Sequence, residues 1–187
     1  MPMPAIAAPQ PAKPVFAMQE PPNAEAYFAD MGAADLPAVA AVEAASYGFP
    51  WTSGNFADSI HTGYLAQCLW GGEATGGVDG AVDAGHANRR LIGYFVAMKG
   101  VDELHLLNIT VASAYRGQGW ARAMLDAMAL WARGQALQWI WLEVRLSNPH
   151  ALSVYKHYGF AKVGQRKNYY PNGPGAHEDA IVMSYKI

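Results

Sequence analysis

Residues 102–133 read DELHLLNITVASAYRGQGWARAMLDAMALWAR, and the rest of the chain is organised around this run. Asp102 to Val111 is an apolar segment of strand length. A short polar loop follows and ends in Arg116-Gly117-Gln118-Gly119. Trp120 to Arg133 then carries good helix formers, with Ala121, Met124, Leu125, Met128 and Leu130 spaced to face a core. Gly134 is expected to end that helix. Strand, glycine turn and helix in this order gather free backbone N–H groups and the positive end of a helix dipole at one point. Glycines let a bound group come close to the backbone there. Phosphate or pyrophosphate is the natural ligand, although such turns also occur for purely structural reasons. The run lacks G-x-x-x-x-G-K-[ST], so it is not a nucleotide P-loop, and it lacks the G-x-G-x-x-G of a parallel dinucleotide fold.

Downstream, Gln138 to Arg145 is an apolar strand in which period-two alternation puts Glu143 on one face with Trp139, Trp141 and Arg145. A carboxylate among tryptophans is costly unless it is paired or functional. Burial is expected to raise its pKa toward the range of a general base, and a salt bridge to a nearby arginine is the plain alternative. Asn148-Pro149 starts a helix that Gly159 closes. That helix carries Tyr155 and Tyr158, three apart and so close on its surface; one is assigned to core packing. Two last strands are expected, Phe160 to about Tyr169 and Glu178 to Ile187.

Upstream, Ala26 to Met31 reads as a first strand. Asp35-Leu36-Pro37 reads as a helix start, Asp35 capping and Leu36, Val39, Ala40 and Val42 facing the core. Thr52 caps a second helix through Phe56 and Ile60 to Gly63, and Tyr64 to Trp70 is a strand. Residues 71–90 are Gly/Ala/Asp-rich and read as a flexible hairpin loop. Leu91 to Met98 is a strand expected to pair antiparallel with 102–111 across the Lys99-Gly100 turn. Mixed elements with several adjacent strand pairs give an α+β class built on a mostly antiparallel sheet flanked by helices.

Composition narrows the function classes. The 187 residues fit one ordinary domain, and 52% apolar with 15% charged residues reads as globular. A net charge of −2 gives no field-driven attraction to nucleic acid or to an anionic membrane, although Arg116, Arg122 and Arg133 make a local basic stretch. Cys68 is the single cysteine, which excludes an intrachain disulfide and reads as a small buried hydrophobe. Six histidines show no metal-ligand spacing, so no metal is assigned. No apolar run reaches the ~18 residues that span a bilayer. Residues 1–23, MPMPAIAAPQPAKPVFAMQEPPN, are broken by prolines and read as a disordered leader rather than a signal peptide; a cytoplasmic protein is expected, with order from residue 24 to 187.

Together these motifs resemble the GNAT acetyltransferases. Their pyrophosphate loop, Q/R-x-x-G-x-G/A, is satisfied by Arg116-Gly117-Gln118-Gly119-Trp120-Ala121. Phe49-Pro50-Trp51, the segments 102–111 and 141–148, Arg166 to Pro171 and Glu178 to Met183 resemble one branch more closely, the bacterial ribosomal-protein-alanine N-acetyltransferases, or RimI type. The likeness runs from about Ala24 to the C-terminus. It departs in the long 71–90 loop and the leader. The resemblance implies a GNAT fold, acetyl-CoA as co-substrate and a protein N-terminus as acceptor, an Ala-initiated small-subunit ribosomal protein. It implies that Ile109, Thr110 and Val111 hold the pantetheine arm through their backbone. Arg116, Gly117, Gln118, Gly119, Trp120, Ala121 and Arg122 would hold the pyrophosphate, with Asn148 near the reacting end. Glu143 would be the general base and Tyr155 the general acid. Tyr170 would contact the peptide, with aromatic packing as its alternative. Other acceptors, lysine or a small amine, and a non-catalytic acyl-CoA-binding module are the competing readings.

Overall fold

A computed structural model describes residues 26–72 and 89–187; the leader and residues 73–88 of the 71–90 loop lie outside the described residues. Among the described residues seven strands form one sheet: β1 (Ala26–Asp30), β2 (Leu65–Gly71), β3 (Arg90–Lys99), β4 (Glu103–Val111), β5 (Trp139–Arg145), β6 (Ala161–Pro171) and β7 (His177–Lys186). Their spatial order is β1-β2-β3-β4-β5-β7-β6. Four α-helices of the described residues flank it: α1 (Leu36–Ser46), α2 (Ser53–His61), α3 (Trp120–Gly134) and α4 (Pro149–Tyr158).

Strand pairing is antiparallel except for β4 with β5, the parallel pair among the described residues. That pair runs only from Glu103/Trp139 to Leu106/Leu142. Beyond it the strands part, because β4 carries an extra residue at Leu107: Val96 pairs with Asn108 but Ala97 with Leu106. The gap left between the strand ends is what makes room for a ligand.

Two cores lie on the two faces. On one, Met124, Leu125, Met128, Ala129 and Ala132 of α3 pack with Leu104, Leu106, Ile140, Leu142 and Tyr155. On the other, Val39 of α1 and Phe56 of α2 pack with Cys68, Tyr94 and Val96. Burial pushes the Cys68 thiol up to about 12, so it stays an inert core group.

Most local expectations hold. Thr52 caps α2 by accepting from Asn55 N at 3.2 Å, and Asn148 caps α4 by accepting from Ala151 N at 3.0 Å. Four details differ. Asp35 does not cap α1; its carboxylate accepts from Gly32 N at 2.8 Å, closing a 3-10 turn ahead of the helix. Leu130 is 70% exposed, because the buried stripe of α3 runs through Ala129 and Ala132 instead. Gly134 is the last helical residue, and the left-handed turn falls on Ala136 (φ 57°). On α1 the deeply buried positions are Val39 and Glu43, with Leu36, Ala40 and Val42 only half-buried. None of the helices among the described residues is long and apolar enough to cross a membrane.

Candidate active site

The parted ends of β4 and β5 open into two grooves that share a wall. The larger, about 750 Å³, runs along the β4 edge, over the glycine turn and beside α4. The smaller, about 350 Å³, lies between the α1–α2 loop, β5 and the end of β6. Tyr47, Ile109, Asn148, Ala151 and Tyr155 line both, so the two meet at the Tyr155 ring.

The β4 wall of the larger groove has backbone groups to offer. Ala112 N–H donates to Ile92 O at 2.9 Å, which fixes the parity of the antiparallel ladder. Thr110 therefore spends its backbone on Tyr94 of β3, while Ile109 and Val111 turn theirs to the gap. The side-chain contacts agree: Ile109 O accepts from Tyr47 OH at 3.1 Å and Val111 O from Arg116 Nε at 3.0 Å. Thr110 contributes its hydroxyl instead, 2.9 Å from Tyr47 OH.

At the turn, Gly117 (φ 76°) and Gly119 (φ 84°) adopt the left-handed backbone that side chains disfavour. Nothing lies within 4 Å of where a Cβ would stand on either, so the open space above them is a cradle. Gly119 caps α3 without a side-chain acceptor, so the first-turn amides of Trp120, Ala121 and Arg122 face the groove with the helix dipole behind them. This fits a diphosphate. Arg116 is braced, its NH2 3.0 Å from Ser46 Oγ, while Arg122 is half-exposed and 3.8 Å from Asp126. Two predicted residues serve differently. Trp120 buries its ring in the core and donates from Nε1 to Gln118 Oε1 at 3.2 Å. Gln118, which also donates to Ala114 O, is not a wall of the groove, whereas Trp120 is.

Asn148 spends Oδ1 on the α4 cap, leaving its amide N–H2 to the junction. Tyr155 is buried against Phe160, with ring centroids 5.7 Å apart. Burial first, then the neighbouring Tyr47 and Tyr170 hydroxyls, raises its pKa, so it holds its proton through the neutral range. Both tyrosines pack: Tyr155 belongs to the core, and the half-buried Tyr158 meets Phe160 and Tyr185 at tilted and edge-on angles, donates to Asp126 Oδ1 at 2.9 Å and also lines the larger groove.

Glu143 lines the smaller groove. Its alternation on β5 is as read, but the direction of its pKa is not. His105 Nε2 lies 2.6 Å from Oε2, and that hydrogen bond is the largest influence. With the His105 and Arg166 charges it outweighs burial and holds the carboxylate below its usual range. Arg166 Nε stands 3.0 Å from Oε1, yet the N–H is not aimed at it, so Oε1 has no hydrogen-bond partner among the described residues. Tyr170 OH donates to Glu143 O at 3.0 Å, and Arg145 lies 4.4 Å over the Tyr170 ring. Tyr170 thus both lines this groove and ties β6 to β5.

Three residues escaped the sequence reading. Glu43, on an alanine-rich helix, is buried and accepts from Trp51 N at 2.9 Å, Asn108 Nδ2 at 3.2 Å and Tyr94 OH. Tyr47 bridges both grooves. His105 braces Glu143. The only local signal for His105 was a polar residue at an alternating position in an apolar strand.

The chain is similar to known proteins over most of its length. The acetyltransferase (GNAT) family model matches residues 36–160. The [ribosomal protein bS18]-alanine N-acetyltransferase of Escherichia coli K12 is 32% identical over 153 residues, 82% of this chain and 92% of that protein. The crystal structure of the Escherichia coli ribosomal-protein-S18-alanine N-acetyltransferase superposes with a TM-score of 0.71 at 29% identity, covering 87% of this chain and 94% of that one. Arabidopsis thaliana NAA60 in complex with acetyl-CoA shares the fold, with a TM-score of 0.68 at 21% identity over 87% of this chain and all of that one. The chain belongs to the GNAT acetyltransferase family, the acetyl-CoA-dependent N-acetyltransferases.

Proposed function

We propose that this enzyme acetylates the terminal α-amine of an Ala-initiated small-subunit ribosomal protein by direct attack, with Glu143 as base and Tyr155 as acid. The observation that carries it is the junction of the two grooves: Glu143 lies in the smaller and Tyr155 at the wall both share. The amides of Ile109, Val111 and the α3 first turn suit the carrier, which when bound supplies a thioester carbonyl open to attack by an amine. An N–H near Val111 is placed to receive charge developing on the carbonyl oxygen. Glu143 takes one proton from the nitrogen as the C–N bond forms. Tyr155 gives its hydroxyl proton to the sulfur as the C–S bond breaks, and exchange with solvent restores both residues.

The lowered pKa of Glu143 bears on the acceptor. A weak base cannot readily strip a lysine ammonium of pKa ~10.4, of which only about one in 2,500 is free amine at pH 7. A terminal amine at pKa ~8 is already about one-tenth free. With equal positioning, a free-amine Ala peptide is therefore expected to outpace an N-blocked lysine peptide by about two orders of magnitude in kcat/KM at pH 7. Mass mapping of the acetyl group on the two peptides checks this, and preference for the lysine peptide would move the acceptor class. Tyr155→Phe is expected to lower kcat about 10- to 100-fold. Stopped-time thiol release assays would show this, and an unchanged kcat would leave protonation of the sulfur to water.

A further inference from the structure

Glu143 is held by two unlike contacts. Arg166 is 53% exposed and meets Oε1 without hydrogen-bond geometry, the kind of ion pair that contributes little and fixes no orientation. His105 is only 20% exposed and meets Oε2 at 2.6 Å, the length of a strong charge-assisted bond. Its position is set by the sheet. His105 stands opposite Trp141 one rung before the parallel β4–β5 pairing ends, so the imidazole reaches the carboxylate two residues further along β5. His105 is not a wall of the smaller groove, whereas Glu143 is. It therefore stands behind the carboxylate rather than in the wall of that groove. An ionised carboxylate only accepts hydrogen bonds, so the proton between them belongs to Nε2.

We propose that His105 is a positioning residue of the acetyl transfer: its Nε2–H grips Glu143 Oε2 and locks the plane of the carboxylate that takes the proton from the attacking amine. This rests on the reading of Glu143 as base. A glutamate has three rotatable bonds before its carboxylate, and a loss of alignment by about an ångström lowers rates on the order of a hundredfold. Of the two side chains on the carboxylate, His105 makes the short hydrogen bond that removes this freedom, while Arg166 adds charge at 3.0 Å. No extra proton is consumed. The one taken by the Glu143 carboxylate is the acceptor's own, and the Nε2 proton stays where it is.

The test is steady-state kinetics of the full chain with acetyl-CoA and an Ala-initiated peptide. His105→Ala is expected to lower kcat about 10- to 100-fold while KM for acetyl-CoA changes less than about twofold. His105→Gln keeps an N–H2 donor near the place of Nε2 and is expected to recover to within about threefold of wild type. In a Glu143→Gln background, His105→Ala is expected to add less than about twofold, since the group it serves is gone. If the small side chain unfolds the strand, His105→Leu takes its place, and the contrast between Leu and Gln carries the same information. Wild-type turnover in His105→Ala beside a collapsed Glu143→Gln overturns this inference and leaves the base reading standing. A Gln variant no better than Ala, or full additivity in the double variant, also overturns it. Full activity of Glu143→Gln alone brings down the base reading itself.

Discussion

Glu143→Gln is expected to lower kcat/KM for an Ala-initiated peptide by about 10²- to 10⁴-fold, roughly 3–5 kcal/mol of transition-state stabilisation. The amide is isosteric and its oxygen still accepts from His105, so the fold and the larger groove should be untouched. Acetyl-CoA binding measured by calorimetry should match wild type. The loss is therefore chemical, the removal of a proton acceptor beside the attacking nitrogen. The pH profile of the wild type reports which group limits the rate at neutral pH. Because His105 holds Glu143 below the usual carboxylate range, the group is ionised throughout neutral pH. Activity should accordingly rise through the acceptor's own ionisation near pH ~8, and no limb from Glu143 should fall between pH 6 and 8. Retained turnover in Glu143→Gln would reduce this carboxylate to a structural partner of His105 and Arg166.

Gly93→Ala has the largest expected effect on stability. Gly93 lies on β3 opposite Val111, between β4 and α3. A Cβ there would stand 2.5 Å from Thr110 O and 3.1 Å from Met124 Cε. The methionine end can shift, but the carbonyl belongs to the β4 ladder and cannot move alone. Its backbone angles are not in the left-handed region, so the penalty is steric crowding of a packed core. Overpacking of this kind costs about 2–3 kcal/mol, which in a domain of this size lowers Tm by roughly 4–10 °C. The displaced segment also carries Ile109 and Val111, so KM for acetyl-CoA should rise in the surviving folded enzyme. A melt within 1–2 °C of wild type would show that β4 yields more easily than its pairing implies.

How far each feature could be read from the chain follows from where its partners lie. Arg116-Gly117-Gln118-Gly119 before an apolar helix announces an anion cradle because every group involved sits within seven residues. The same holds for Thr52 and Asn148 as caps and for the alternation that placed Glu143 on one face of its strand. Leu130 was misplaced because a hydrophobic residue one step off the stripe looks identical in composition to one on it.

The chemistry around Glu143 is of another kind. Its brace, His105, is 38 residues away, and Arg166 arrives from β6, reaching across β7, which lies between β6 and β5. Glu43 carries no signal in its alanine-rich surroundings, and Tyr94 and Asn108, 51 and 65 residues distant, make it a buried acceptor. Tyr47 meets Ile109 and Thr110 across 62 and 63 residues. Burial alone predicted a raised pKa for Glu143, and the partners reversed the sign. Propensity, capping and periodicity act between neighbours along the chain, so residue order suffices for the elements, the glycine turn and the family likeness. Cross-sheet partners depend on strand register and on the early end of the β4–β5 pairing. These exist only once the sheet has assembled, and they set the charge, orientation and setting of the groups at the junction.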